Sequence, residues 1–256
     1  MKKSLIALVA IIALATTSFA SVSFLVAPGI GEGKIGVLGM YATNHNGNLA
    51  NQEEPQLSDV TSLGLRVSYG IMANLDVLAA YSADTMVNVK DMEAKQEGGS
   101  TTGIGVKYTL SPDWLMGLPV DAAVLLGYET SAASVKFDAE VGGGKASVGL
   151  NTIALAAIFS KKMDNLIPYG GIALKSLTRT GSGSGAGARK KMDDLGGTAL
   201  AFNLGCMIGV AENTVVAIEY NTENQSFGEP TKSGKKLDDA FANSVSGISL
   251  GVAYVF

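Results

Sequence analysis

The residues of this chain best able to do chemistry are charged side chains set singly into apolar stretches. Arg66, Asp76, Lys107, Asp121, Glu129, Lys175 and Glu219 stand among hydrophobic and small residues in segments that alternate with a period of two. Such alternation puts the charges on one face of a strand and the apolar side chains on the other. Charges gathered on one side of a sheet either pair with one another, because an unpaired buried charge is costly, or line water and discriminate between ions. The signs of these seven nearly cancel. Catalysis finds less support. His45 is the only histidine, and Ser58 and Asp59 follow it in the same predicted loop. A general base needs a partner within hydrogen-bond reach, and the spacing of these three fixes no such geometry. His45, between Asn44 and Asn46, reads as a solvated loop residue.

Other chemistries are excluded by composition and context. One histidine and one cysteine, Cys206, rule out a Cys/His zinc site and an intrachain disulfide. No calcium-loop pattern is present. Gly103, Gly105 and Lys107 lie within an alternating strand, so these glycines belong to a wall and not to a phosphate cradle. A net charge of −4 argues against a nucleic-acid partner, which calls for a basic surface. The expectation is a protein that is not an enzyme and that takes neither cofactor nor metal.

The elements that carry the charges must hide much apolar surface. Hydrophobic residues make up 47% of the chain, and charged ones only 16%. Yet beyond residue 20 no apolar run approaches the ~20 residues of a membrane helix. A closed β-barrel is the other structure that satisfies every backbone polar group in a bilayer. Ten strands are predicted, over 34–43, 61–70, 75–84, 101–110, 119–130, 147–160, 167–177, 198–209, 214–222 and 245–256. Short and long connections alternate between them, as short periplasmic turns and long external loops do. Leu63, Leu65, Val67 and Tyr69 oppose Gly64, Arg66 and Ser68. Ile104, Val106 and Tyr108 oppose Gly105 and Lys107. The sixth and seventh strands alternate too weakly to assign a facing. Val135, Phe137 and Val141 alternate with Lys136, Asp138 and Glu140 ahead of Gly142, which predicts a hairpin extending strands five and six above the membrane. A twelve-stranded barrel is the competing count, and eight is the lower bound. Gly181 to Ala188 reads as a flexible external loop, with Arg189, Lys190 and Lys191 beside it for contact with anionic groups.

This topology places Tyr41, Tyr81, Tyr128 and Tyr220 at external strand ends and Tyr69, Tyr108, Tyr169 and Tyr254 at periplasmic ends. Two aromatic belts are what a membrane barrel presents at its interfaces. At the start of the chain, Lys2 and Lys3 precede an apolar run from Leu5 to Ala15, and Ser18, Phe19 and Ala20 form a small-residue cleavage pattern. Residues 1–20 are thus expected to be a signal peptide, and 21–256 the barrel.

The final strand carries a resemblance. Ile248, Leu250, Val252, Tyr254 and Phe256 share one face, and the chain stops on phenylalanine. In this the sequence resembles the small outer-membrane β-barrel proteins of Gram-negative bacteria, of the OmpA-type and porin-like families. The resemblance implies an all-β, transmembrane, antiparallel up-and-down barrel in the cell outer membrane. It further implies that Tyr254 and Phe256 form the signal read by the barrel-assembly machinery, and that periplasmic chaperones, outer-membrane lipid and lipopolysaccharide are partners. The function expected is a porin-like narrow pore for passive diffusion of small hydrophilic solutes. The alternative is a non-conducting structural or surface-binding, adhesin-like barrel acting through its external loops. Gly64, Gly105, Gly127, Gly205 and Gly251 on the inner face either leave room for water or accommodate close packing.

Overall fold

The computed structural model describes residues 25–46, 57–89, 94–111, 115, 119–137, 144–185, 188–227 and 241–256. Its strands are β1 (Ile35–Asn46), β2 (Leu57–Met72), β3 (Leu75–Val89), β4 (Ala94–Thr109), β5 (Asp121–Phe137), β6 (Gly144–Ser160), β7 (Leu166–Gly185), β8 (Ala188–Ala211), β9 (Thr214–Phe227) and β10 (Phe241–Val255). Each pairs antiparallel with its neighbours in sequence, and β1 pairs with β10 from Gly36↔Val255 to Asn46↔Val245, which closes the barrel. The count is ten, and the segment around 135–146 extends β5 and β6 with Phe137 opposite Gly144. The extra pair that a twelve-stranded barrel requires is not formed there.

The stagger of the wall follows from the register. The Lys34 carbonyl accepts from Gly70 N. From there, partners lead through Asp76, Lys107, Leu125, Ala156, Ala173, Ala201, Glu223 and Val245 back to β1 at Asn46, twelve residues beyond Lys34. A stagger of this size in ten strands tilts them by roughly 40°. Facing obeys the alternation read from sequence. Leu65, Ile104, Leu126, Leu204 and Ile218 are exposed outward, and Arg66, Lys107, Glu129 and Glu219 are buried inward. In β6, Ile153 and Leu155 face out while Thr152 and Ala154 face in, and in β7, Ile172 and Leu174 face out while Ala173 and Lys175 face in.

Four expectations are corrected. Tyr169 is not in the periplasmic belt; it is 3% exposed and points into the lumen. Tyr169 and Lys175 are six residues apart on one strand, an even spacing, so both must take the same face. The other seven tyrosines are exposed outward. Asp121 is the first residue of β5 and is exposed. It has the inward parity but lies at the periplasmic rim, below the packed interior. The glycine- and serine-rich run is paired rather than looped, since Ser182↔Lys191, Ser184↔Arg189 and Gly185↔Ala188 continue the β7–β8 ladder. Small side chains do not obstruct such a ladder. His45, Ser58 and Asp59 fall within β1 and β2 instead of a loop, with side chains outside the described residues. Residues 1–20 also lie outside them.

Cys206 faces outward between Leu204 and Ile208 and is half-buried in the wall. A membrane-impermeant maleimide is expected to label it slowly in native membranes and rapidly after denaturation; rapid labelling before denaturation overturns the facing of β8.

Candidate functional site

An inward residue on a transmembrane strand has no solvent but the lumen, so polar residues there must satisfy one another or hold water. Among the described buried residues, four cations (Arg66, Lys107, Lys175, Arg179) meet four anions (Asp76, Glu129, Glu219, Glu223). They are arranged at successive heights. Nearest the periplasm, Lys107 on β4 bridges Asp76 on β3 at 3.0 Å, directly across the strand pair. Above them, Glu219 on β9, three steps round the wall from β2, offsets the charge of Arg66 and accepts from Asn203 Nδ2 at 3.1 Å. Higher still, Lys175 Nζ lies 2.6 Å from Glu223 Oε2, while Gln225 Nε2 donates to the other carboxylate oxygen at 2.7 Å. Glu129 adds its negative charge at Lys175. At the external level, the Arg179 guanidinium stands 5.6 Å from the centre of the Phe227 ring, and Phe227 packs with Leu150, Leu177 and Ala199.

The inner glycines accommodate packing. A Cβ at Gly205 would strike the Tyr169 ring, one at Gly105 the Leu78 side chain, and one at Gly64 the Met40 methyl. The periplasmic end holds a further occupant. Residues 25–30 enter the lumen, where Leu25 and Ala27 are 3% and 0% exposed. They join an apolar cluster with Leu78, Leu125, Ala154, Ile158 and Ala201. Lys107 Nζ donates to the carbonyls of Val26 at 3.0 Å and Pro28 at 2.7 Å. Thr109 Oγ1 donates to Ala27 O at 2.8 Å, and Ala27 N donates to Ser160 Oγ at 3.1 Å.

Six of the seven charges singled out in the sequence, all but Asp121, are therefore inside. Three features escaped sequence reasoning. Arg179 and Glu223 lie just past where the seventh and ninth strands seemed to stop. Their parity with Lys175 and Glu219 was the signal available. Gln225 continues the same polar face through Asn221 and Glu223. The inward path of residues 25–30 has no periodic signature at all. Among the described residues, no three His, Cys, Asp or Glu converge on one point.

Residues 53–227 match the model of a family of unknown function, DUF6588. The chain belongs to this family. No curated protein matches it. Among solved structures, the outer-membrane protease OmpT of Escherichia coli superposes with a TM-score of 0.55 at 12% identity, over 87% of this chain and 96% of that one. The translocator domain of the autotransporter NalP from Neisseria meningitidis gives 0.51 at 12%, over 88% of each chain. At these identities the likeness shows the fold, that of an outer-membrane β-barrel.

Two outcomes follow from the electrostatics of this DUF6588 member. Glu223→Ala leaves the Lys175 ammonium short of its closest anion and is expected to cost about 3–5 kcal/mol. The double variant Lys175→Met/Glu223→Leu should lie closer to wild type; urea unfolding in lipid vesicles measures both, and equal midpoints for wild type and Glu223→Ala contradict the pairing. Asp84 lies three residues beyond Tyr81, outside the membrane-spanning part of β3. Burial pushes its carboxyl up to about 6 from an ordinary 3.8. The folded state thus holds this proton more tightly than the unfolded chain does, so the contribution of Asp84 is most favourable below pH 4 and declines as pH rises to about 6. Asp84→Asn is expected to flatten the urea midpoint across that interval, and an unchanged pH profile contradicts the shift.

Proposed function

We propose that this protein is an outer-membrane barrel with a packed, non-conducting lumen, acting as a surface-displayed scaffold through its external end. The observation that carries this reading is the insertion of residues 25–30 into the periplasmic mouth, gripped by Lys107 and Thr109. Two further features support it. Three of the inner glycines, Gly64, Gly105 and Gly205, are covered by neighbouring side chains. Two of the opposite-charge pairs, Asp76–Lys107 and Lys175–Glu223, are in direct contact instead of standing on opposite walls of a water column. The external end offers ample surface, because β7 and β8 run 20 and 24 residues, about twice the 9–11 that a tilted strand needs to span the bilayer.

A narrow diffusion pore is the second reading, favoured by the charged inner face. Conductance in planar bilayers separates the two, with heat-modifiable gel migration as proof of folding. The folded wild-type barrel is expected to be electrically silent; reproducible single-channel steps overturn the scaffold reading and favour the pore.

A further inference from the structure

We infer that residues 25–30 are a retractable plug latched by Lys107, and that their withdrawal opens a narrow passage for small inorganic ions. The inference rests on the packed, silent state proposed above and adds a second, conducting state to it.

The segment is held differently from the wall. Wall strands are joined to two neighbours by continuous backbone ladders, and β1 closes on β10 without help from residues 25–30. The segment's backbone is held instead by side chains. Val26 O and Pro28 O accept from Lys107, Ala27 O accepts from Thr109, and Ala27 N donates to Ser160. Ile30 N lies 3.4 Å from each oxygen of Asp76. Its deepest apolar anchors are Leu25 and Ala27. Releasing it therefore leaves the barrel's own ladder intact.

The wall also tolerates the release electrostatically. Lys107 is paired with Asp76 at 3.0 Å besides its bonds to the segment, and residues 25–30 carry no charged side chain. No buried charge loses its countercharge when the segment leaves, which removes the usual penalty against such a move. Below the latch, Gly29, Gly31 and Gly33 alternate with Ile30 and Glu32. Gly31 and Gly33 have φ of 101° and 74°, so the chain reverses at the rim through conformations that favour glycine. This turn is the natural pivot, with Gly33 N bonded to Gly70 O and Lys34 N to Gly31 O. Above the plug, Arg66, Glu219, Lys175 and Glu223 give the rest of the inner wall a balanced charge, so the passage should discriminate only weakly between cations and anions.

The test uses the full-length barrel in planar bilayers, with heat-modifiable migration as the folding control. Leu25→Asp/Ala27→Asp puts charge on the plug and leaves every strand untouched. It is expected to give single-channel steps where wild type gives none, and a folded but silent double variant overturns the proposal. A second measurement holds if that variant does not fold. With Ala27→Cys in a Cys206→Ala background, further removal of the wall contacts by Thr109→Val/Ser160→Ala should speed labelling by a water-soluble maleimide about tenfold, equal to about 1.4 kcal/mol of latch. Equal labelling rates overturn the proposal. Steps from the wild type itself would instead count against the silent state on which the inference rests.

Discussion

Backbone hydrogen bonding in a medium without water is the constraint from which this structure follows. A strand in hydrocarbon cannot leave an edge unpaired, since each unsatisfied amide there costs several kcal/mol. The sheet must therefore meet itself, and β1 and β10 do so along eleven residue pairs, from Gly36↔Val255 to Asn46↔Val245. Closure then dictates the chemistry of the two faces. The outer face must be apolar, which accounts for the many large hydrophobic residues left exposed around the wall. The charged side chains in the middle of the spanning strands must turn inward, where space is limited and they are forced into company. The Asp76–Lys107 and Lys175–Glu223 pairs are consequences of that confinement. Double-sided replacement by apolar residues of similar size is generally tolerated in such places, whereas loss of one partner is not.

The inner surface is asymmetric along the barrel axis. The periplasmic half is largely apolar, with Leu78, Leu125, Ile158 and the inserted Leu25 and Ala27 forming one cluster, flanked by Leu38, Met40, Tyr169 and Met207. The opposite half is dominated by carboxylates, amides and basic groups on β7 and β9. This division explains how one extended segment can close the lower mouth. It has an oily seat for two side chains and one ammonium, that of Lys107, directed at its carbonyls. Thr109 and Ser160 complete the collar from neighbouring parts of the wall.

Much of this was legible in the sequence, and the part that was not has a physical cause. The periplasmic ends of most strands were placed within about two residues, since belt tyrosines such as Tyr69 and Tyr108 and short turns mark that boundary. The external ends ran well past expectation. The ninth strand reaches Phe227 rather than 222, and β8 starts at Ala188 rather than 198. Apolar alternation records contact with lipid, not the length of the ladder. Once a strand rises above the bilayer its outer face turns polar, as at Thr178, Asn224 and Ser226, so the apolar alternation fades although burial still alternates and pairing continues. Glu223 and Arg179 were missed for this reason, although parity with Glu219 and Lys175 pointed to their facing. Tyr169 was misplaced because residue type was weighed above parity with Lys175. The inserted segment was illegible in principle, because an irregular chain that fills a cavity follows no repeat.

The way that segment is seated also bears on the order of assembly. Leu25 and Ala27 belong to one buried cluster with residues from β3, β5, β6, β7 and β8. No hairpin offers this seat alone, and it exists only after distant parts of the chain have come together. Adjacent hairpins such as β5–β6 form through local contacts, whereas β1 must find β10 across nearly the whole sequence, the slowest kind of contact to establish. Burial of the amino-terminal segment is therefore a late event, and its protection from protease reports a finished barrel, not merely a chain delivered to the membrane.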